Sequence, residues 1–225
     1  DLLKRMNVKV EKSTIDGVRV FIVTPDKNLP ANRNRTLIHM HGGCYVLNPG
    51  EASLPEAILM AGFGQIKVIS VEYRMPPEAY FPAALDDGIT VWKAALKNTD
   101  ARNMAIFGTS TGGGMTLAMV LRAKKEGLAL PAATAPGTPW SDLTETGDSY
   151  RTNEWLDNVL VSYNGWLVHA AELYAARTLL VVDAACDLPT AWLHRNGFSF
   201  HQPCGVPAKA DKPAPNRLRA RPVAY

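Results

Sequence analysis

The chain has 225 residues, of which 47% are hydrophobic, and this length predicts a single globular domain (1–225) with a sizeable core. The formal net charge of +3 is too small to indicate nucleic acid or another polyanion as a partner. The three cysteines lack C-x-x-C spacing, so neither a disulfide scaffold nor a zinc site is expected.

A β-hairpin is predicted first, within residues 1–35. Residues 8–11 and 18–23 alternate apolar and polar side chains around Asp16-Gly17, a pair typical of tight hairpin turns. The opening residues lack the apolar run of a signal peptide, and no later run reaches membrane-spanning length. We therefore expect a cytoplasmic protein.

Strands and helices alternate after the hairpin. Apolar strands are predicted near 36–40, 67–71 and 103–107, and helices near 52–63, 82–97 and 112–127. This rhythm predicts an α/β fold with a mostly parallel central sheet and helices on both faces. Active sites in such sheets lie beyond the carboxyl ends of the strands, where three motifs fall.

The first motif follows the strand at 36–40, where residues 41–44 read His-Gly-Gly-Cys. Acyl transfer passes through a tetrahedral oxyanion, which needs hydrogen-bond donors already aimed at it. The backbone N–H groups of Gly42 and Gly43 are candidate donors, because glycine lets the backbone approach a substrate closely.

The second motif is a charged segment after the strand at 67–71. Charged residues this close to a strand end usually form structural ion pairs. We expect that role, and no chemistry, for five of them: Glu72, Arg74, Glu78, Asp86 and Asp87.

The third motif is the most informative, because residues 108–112 read Gly-Thr-Ser-Thr-Gly between a predicted strand and a predicted helix. This G-x-S-x-G pattern in a strand–turn–helix context is typical of a nucleophile elbow. Ser110 would be the exposed nucleophile at the helix N-terminus, where developing negative charge is favoured. The amide of Thr111 would be a third oxyanion donor.

Together these motifs resemble the hormone-sensitive-lipase-like esterases of the α/β-hydrolase superfamily. The match covers roughly residues 1–174 and includes Pro-Trp-Ser-Asp-Leu at 139–143. Cys44 departs from the family's third glycine, and Thr111 from its common alanine. The resemblance implies an α/β-hydrolase fold and hydrolysis of carboxylic esters through an acyl-enzyme on Ser110. It also implies that His41 anchors its loop and is not the base.

An acid and a base must follow Ser110 in this superfamily. Asp187 after the β-rich run 178–182 is the better placed acid, with Asp183 as the alternative, and His201 is the candidate base. The separation from Asp187 to His201 is short for a full crossover, so this triad is cramped.

His194 is the next candidate for the base, whereas His169 lies in a helix-like stretch that favours a surface or packing role.

A second interpretation concerns the divergent last fifty residues. A frameshift near residue 194, or a truncation, would remove the true acid and histidine and leave a hydrolase fold with little or no turnover. The basic, proline-rich segment 203–225 shows no hydrophobic periodicity, and we interpret it as an irregular solvated tail.

A reduced cap is predicted over residues 145–175. Its aromatic residues Trp155, Tyr163 and Trp166 either line an acyl pocket or pack in the core. A thin cap favours short- to medium-chain acyl esters over long triglycerides. The expected partner is a small-molecule ester, a homodimer stays open, and no cofactor or metal is expected.

Overall fold

A computed structural model of the protein describes residues 1–144, 146–157, 160 and 166–179. These residues contain six strands: β1 Val8–Ile15, β2 Val18–Pro25, β3 Thr36–Met40, β4 Lys67–Val71, β5 Met104–Thr109 and β6 Ala133–Gly137. Six α-helices accompany them in the described residues: α1 Leu2–Met6, α2 Pro55–Gly64, α3 Ala83–Leu96, α4 Thr111–Lys125, α5 Ser149–Thr152 and α6 Trp166–Leu179.

The strands form one sheet in the order β1-β2-β4-β3-β5-β6. β1 pairs with β2 and β2 with β4 in antiparallel fashion, whereas the remaining pairs are parallel. The predicted mostly parallel sheet is therefore confirmed. The hairpin forms its antiparallel edge.

Helices cover both faces of this sheet. Successive side chains of a strand point to opposite sides, so each central strand contributes to a core on either face. On β4, Ile69 packs into the larger core with Leu85 of α3 and Met119 of α4. Its neighbour Val68 packs into the second core with Ile58 of α2. The predicted two-faced α/β architecture follows from this alternation.

The hairpin turn has the predicted chemistry. Asp16 has φ 47° and Gly17 has φ 87°, so both central residues of the two-residue turn are left-handed. That is the backbone of a type I′ turn, whose twist matches the flanking strands.

The parallel strands bring the three motifs together. β3, β4 and β5 run in the same direction, so their carboxyl ends meet at one edge and place His41, Glu72 and Ser110 just beyond it. None of the helices in the described ranges combines the length and apolar character needed to cross a bilayer.

Candidate active site

Ser110 lies in the sharp turn between β5 and α4. Its backbone has φ 60° and ψ −121°, a conformation that L-residues rarely adopt and that is found mostly where the surroundings enforce it. The neighbours do so here: the Ser110 amide donates to the Gly137 carbonyl at 2.9 Å, and the Ser110 carbonyl accepts from the Trp140 amide at 2.9 Å. The turn is thus held from the β6 side.

The glycines that flank Ser110 are sterically required. A Cβ on Gly108 would lie 2.0 Å from the Met40 carbonyl oxygen, and one on Gly112 would lie 1.9 Å from the same atom. Because real Cβ atoms do not approach backbone oxygens so closely, only glycine fits at either position. The last residue of β3 therefore sets the shape of the turn.

The Gly42–Gly43 loop lies directly against Ser110. A Cβ on Gly42 would be 3.4 Å from the Ser110 Cβ and 2.7 Å from the Thr109 carbonyl oxygen. Gly43 has φ 123°, and a Cβ there would meet the Leu47 carbonyl oxygen at 2.4 Å. The loop backbone can come this near to the Ser110 side chain because glycine has no Cβ.

Three amides near Ser110 lack an acceptor in the part of the chain that the structure describes. Within the described residues, the N–H groups of Gly42, Gly43 and Thr111 donate to no other protein group. Thr111 is fully buried and is the first residue of α4, where the helix leaves its amides unpaired. Such amides, together with the helix dipole, favour an anion at this point.

His41 anchors the glycine loop from inside. Its Nδ1 lies 2.7 Å from the Gly42 carbonyl oxygen, and its ring stacks on Tyr73 with centroids 4.1 Å apart. The Tyr73 hydroxyl in turn donates to the His41 carbonyl at 2.7 Å. Burial lowers the pKa of His41 to about 4, so the ring is neutral near pH 7.

Four of the five charged residues expected to brace the site form ion pairs. Arg74 binds Asp87 at 2.7 Å, and the buried Asp87 also accepts from the Arg74 amide at 2.8 Å. The remaining pairs are Arg19–Glu78 at 2.7 Å and Arg122–Asp86 at 3.6 Å. Glu72 differs, because its Oε1 accepts from the Gly50 amide at 2.7 Å.

Helix α6 packs on the residues that follow the glycine loop. Buried Cys44 contacts Leu167 and Ala170, and burial raises the pKa of its thiol to about 11. The Tyr45 ring stacks on Tyr174 at 3.8 Å. Part of the predicted cap region therefore supports the loop.

The aromatic residues predicted for the cap do not share one environment. Trp155 is 73% exposed, so it is not a core residue. The described residues do not include Tyr163 or the side chain of Trp166. His169 is on the surface as expected, 3.3 Å from Glu172.

The candidate acid and base lie outside the described residues. This applies to Asp187 and His201 and to their alternatives, Asp183 and His194. The structure therefore brings together Ser110, Gly42, Gly43 and Thr111 from the predicted site.

A chain of polar side chains beneath the turn was not predicted from the sequence. The His39 ring binds Ser70 and Glu56, and Glu56 accepts from the Thr109 hydroxyl at 2.7 Å. Thr109 and Glu56 are 53 residues apart, so no local pattern indicates their contact. The only available signal was a histidine inside an apolar strand.

Comparison with known proteins agrees with this geometry. The profile of the alpha/beta hydrolase fold family matches residues 37–197. An acetyl-hydrolase of Streptomyces hygroscopicus is 30% identical over 165 residues, which cover 72% of this chain and 54% of that protein. The chain thus spans about half the length of such curated relatives.

Solved structures show the same likeness. The structure of esterase E25 is 41% identical with a TM-score of 0.73, covering 78% of this chain and 54% of that one. An esterase from the bacterial hormone-sensitive lipase family is 26% identical with a TM-score of 0.65, covering 76% and 56%. These matches are with proteins named as an acetyl-hydrolase and as esterases. The chain belongs to the α/β-hydrolase fold family, and its relatives include hormone-sensitive-lipase-type esterases.

Proposed function

We propose that this chain is a serine carboxylic-ester hydrolase that acts on short- to medium-chain acyl esters through an acyl-enzyme. Ser110 is the nucleophile, and the amides of Gly42, Gly43 and Thr111 form the oxyanion hole. Asp187 and His201 serve as acid and base. We place the activity in the cytoplasm, on small-molecule esters.

One observation carries this proposal. Ser110 has a backbone conformation that its surroundings enforce, at the N-terminus of α4, and a Cβ added to Gly42 would lie 3.4 Å from the Ser110 Cβ. Three nearby amides have no protein partner among the described residues. Strained backbone and unpaired polar groups cluster at functional sites, and this supports a catalytic role for Ser110.

The chemistry follows from these positions. The Ser110 hydroxyl attacks the ester carbonyl carbon while its proton passes to the base, and the carbonyl oxygen becomes an oxyanion that the amides stabilise. The intermediate collapses, and the departing alcohol takes the proton from the base. Water then gives a proton to the base and attacks the acyl carbon of the acyl-enzyme. The bond from this carbon to the Ser110 oxygen breaks, the base returns the proton to that oxygen, and the carboxylic acid is released.

The preference for shorter acyl chains is supported by the exposure of residues 146–157 in the predicted cap. Trp155 is 73% exposed. A long acyl chain gains about 0.8 kcal/mol for each methylene only where the protein buries it. The exposed segment 146–157 offers little such burial, and this favours acetyl and butyryl esters over long-chain ones.

The test is hydrolysis of p-nitrophenyl acetate, butyrate and dodecanoate by the wild type, Ser110→Ala and His201→Ala. We expect turnover that falls toward dodecanoate and is reduced by at least about a thousandfold in each variant, since members of a triad act as a unit. Exposed Ser13 on β1 and surface His169 provide matched controls. Ser13→Ala and His169→Ala should retain full activity.

Two results would contradict the proposal in different ways. If the wild type is no faster than Ser110→Ala, the fold does not hydrolyse these esters. If Ser110→Ala abolishes turnover that His201→Ala leaves intact, Ser110 is the nucleophile but the base is another group, with His194 the next residue to replace.

A further inference from the structure

A chain of hydrogen bonds runs through the sheet to the residue before Ser110. His39 is fully buried on β3, where its register partners are Ser70 on β4 and Phe107 on β5. Its Nδ1 lies 2.8 Å from the Ser70 hydroxyl, and its Nε2 lies 3.1 Å from Glu56 Oε2. The second oxygen of Glu56 accepts from the Thr109 hydroxyl at 2.7 Å.

The donors and acceptors in this chain are mutually consistent. A carboxylate only accepts hydrogen bonds, so in a neutral His39 ring Nε2 carries the proton and Nδ1 accepts from Ser70. Burial alone would raise the pKa of Glu56, but its hydrogen bonds with His39 and Thr109 outweigh burial and lower that pKa. Both oxygens of the carboxylate are thereby occupied by donors from different strands.

These residues have the composition of a serine–histidine–acid triad, yet they cannot act as one. Ser70 is fully buried in the interior of β4, beyond the reach of a substrate. The exposed member of these hydrogen-bonded residues is Thr109. The arrangement therefore ends at the turn that holds Ser110 and does not form a second active site.

Thr109 is the point at which the parts of the candidate site meet. Its carbonyl oxygen lies against Gly42, where a Cβ would approach to 2.7 Å, and its hydroxyl lies against Gly137, where a Cβ would approach to 2.9 Å. Thr109 thus lies between the glycine loop and Gly137, the residue whose carbonyl accepts from the Ser110 amide. Its hydroxyl is directed by Glu56, at the start of α2.

We propose that Glu56 is a positioning residue for Ser110. The buried His39 anchors Glu56, and Glu56 holds Thr109, the residue before Ser110, in place. This inference rests on the proposed role of Ser110 as nucleophile. Glu56 contacts neither substrate nor Ser110 in this scheme and acts only through the Thr109 hydroxyl. The order Ser70–His39–Glu56–Thr109 thereby ties the turn to the centre of the sheet.

The test compares how fast a p-nitrophenyl phosphonate ester phosphonylates Ser110 in the wild type and in variants. Thr109→Val keeps the shape but loses the hydroxyl, and should slow labelling about tenfold, as expected for losing a hydrogen bond to a charged group. Thr109→Ser should restore the rate. Glu56→Ala should slow labelling to a similar extent, and the double variant Glu56→Ala/Thr109→Val should show no further loss.

Glu51 provides a matched control, since it pairs with Lys12 at the surface just before α2. Glu51→Ala should label at the wild-type rate. Additive losses in the double variant, or a Thr109→Val variant that reacts like the wild type, would overturn the proposal.

Hydrogen exchange tests the positioning role of Glu56 independently of the phosphonate probe. A wild type that never reacts with the probe would refute the proposed function, and hydrogen exchange would still decide the positioning role. In Thr109→Val, the Ser110 amide should exchange about tenfold faster, while the amide of Ile69 in central β4 stays unchanged. Equal acceleration at both amides would indicate general destabilisation and overturn the positioning role, as would no change at Ser110.

Discussion

At the scale of single residues, one carbonyl group decides which side chains can flank Ser110. The Met40 oxygen at the end of β3 faces the α-carbons of both Gly108 and Gly112. Neither glycine is required for a left-handed backbone conformation, since neither has a positive φ. They are required because β3 and the turn are in direct backbone contact.

Replacing Gly112 with alanine should therefore destabilise the protein. The added methyl would lie 1.9 Å from a backbone oxygen, and overpacking of this kind costs at least about 2 kcal/mol. The urea midpoint of unfolding measures the loss. Gly147→Ala is the control, because the nearest atom to its Cβ is 3.7 Å away. Equal midpoints for the two variants would show that β3 and the turn can separate at no cost.

At the scale of elements, α6 supports the glycine loop through an aromatic stack. Tyr174 of α6 lies parallel to Tyr45 at 3.8 Å, and Tyr45 meets Tyr73 edge-on at 6.5 Å. The Tyr174 carbonyl also accepts from the Phe81 amide at 2.9 Å. Since Tyr73 stacks on His41, packing extends from α6 to the candidate oxyanion hole.

Tyr174→Ala should lower the free energy of unfolding by about 3 kcal/mol, because it removes a buried ring from this stack. Tyr174→Phe keeps the ring and should cost far less. Leu173→Ala on the exposed side of the same helix is the control and should change little. Chemical denaturation measures all three, and a Tyr174→Ala variant as stable as Leu173→Ala would contradict the packing role of α6.

The elements show where sequence reasoning succeeded. β3 and β4 match the predicted strands 36–40 and 67–71, because each is a short apolar run bounded by turn residues. The helix predicted at 52–63 instead divides into a 3₁₀ turn, Gly50–Ser53, and α2, since Pro55 starts a new helix.

The candidate site was predictable only where its signal is local. The turn at 108–112 and the glycines at 42 and 43 could be predicted, because each motif consists of residues that are adjacent in the sequence. Glu56 carries no such signal, because it reaches Thr109 only after α2 has packed on the sheet. Likewise, no pattern in the sequence indicates that Tyr174 stacks on Tyr45.

At the scale of the whole molecule, burial of His41 makes stability depend on pH. Its ordinary pKa of 6.5 applies to the unfolded chain, while burial lowers the pKa to about 4 in the folded protein. The unfolded chain therefore binds more protons between these values, and stability falls as the pH drops through this window. Below about pH 4 the histidine adds no further loss.

Unfolding free energies measured from pH 7 to 4.5 should show this directly. The wild type should lose about 2 to 3 kcal/mol to His41 over that range. His41→Phe keeps a ring to stack on Tyr73 but does not titrate, so its curve should be flatter. Carboxylates with lowered pKa values, such as Glu78 and Asp142, lose their contribution below this range. Parallel curves for the two proteins would contradict the buried neutral histidine.

The most direct measurement of the central claim is the intact mass of the protein after incubation with the p-nitrophenyl phosphonate ester, followed by peptide mapping. We expect one phosphonyl adduct, located on Ser110, and none in Ser110→Ala. An unmodified wild type, or an adduct that persists in Ser110→Ala, would contradict the claim that the turn between β5 and α4 carries an activated nucleophile.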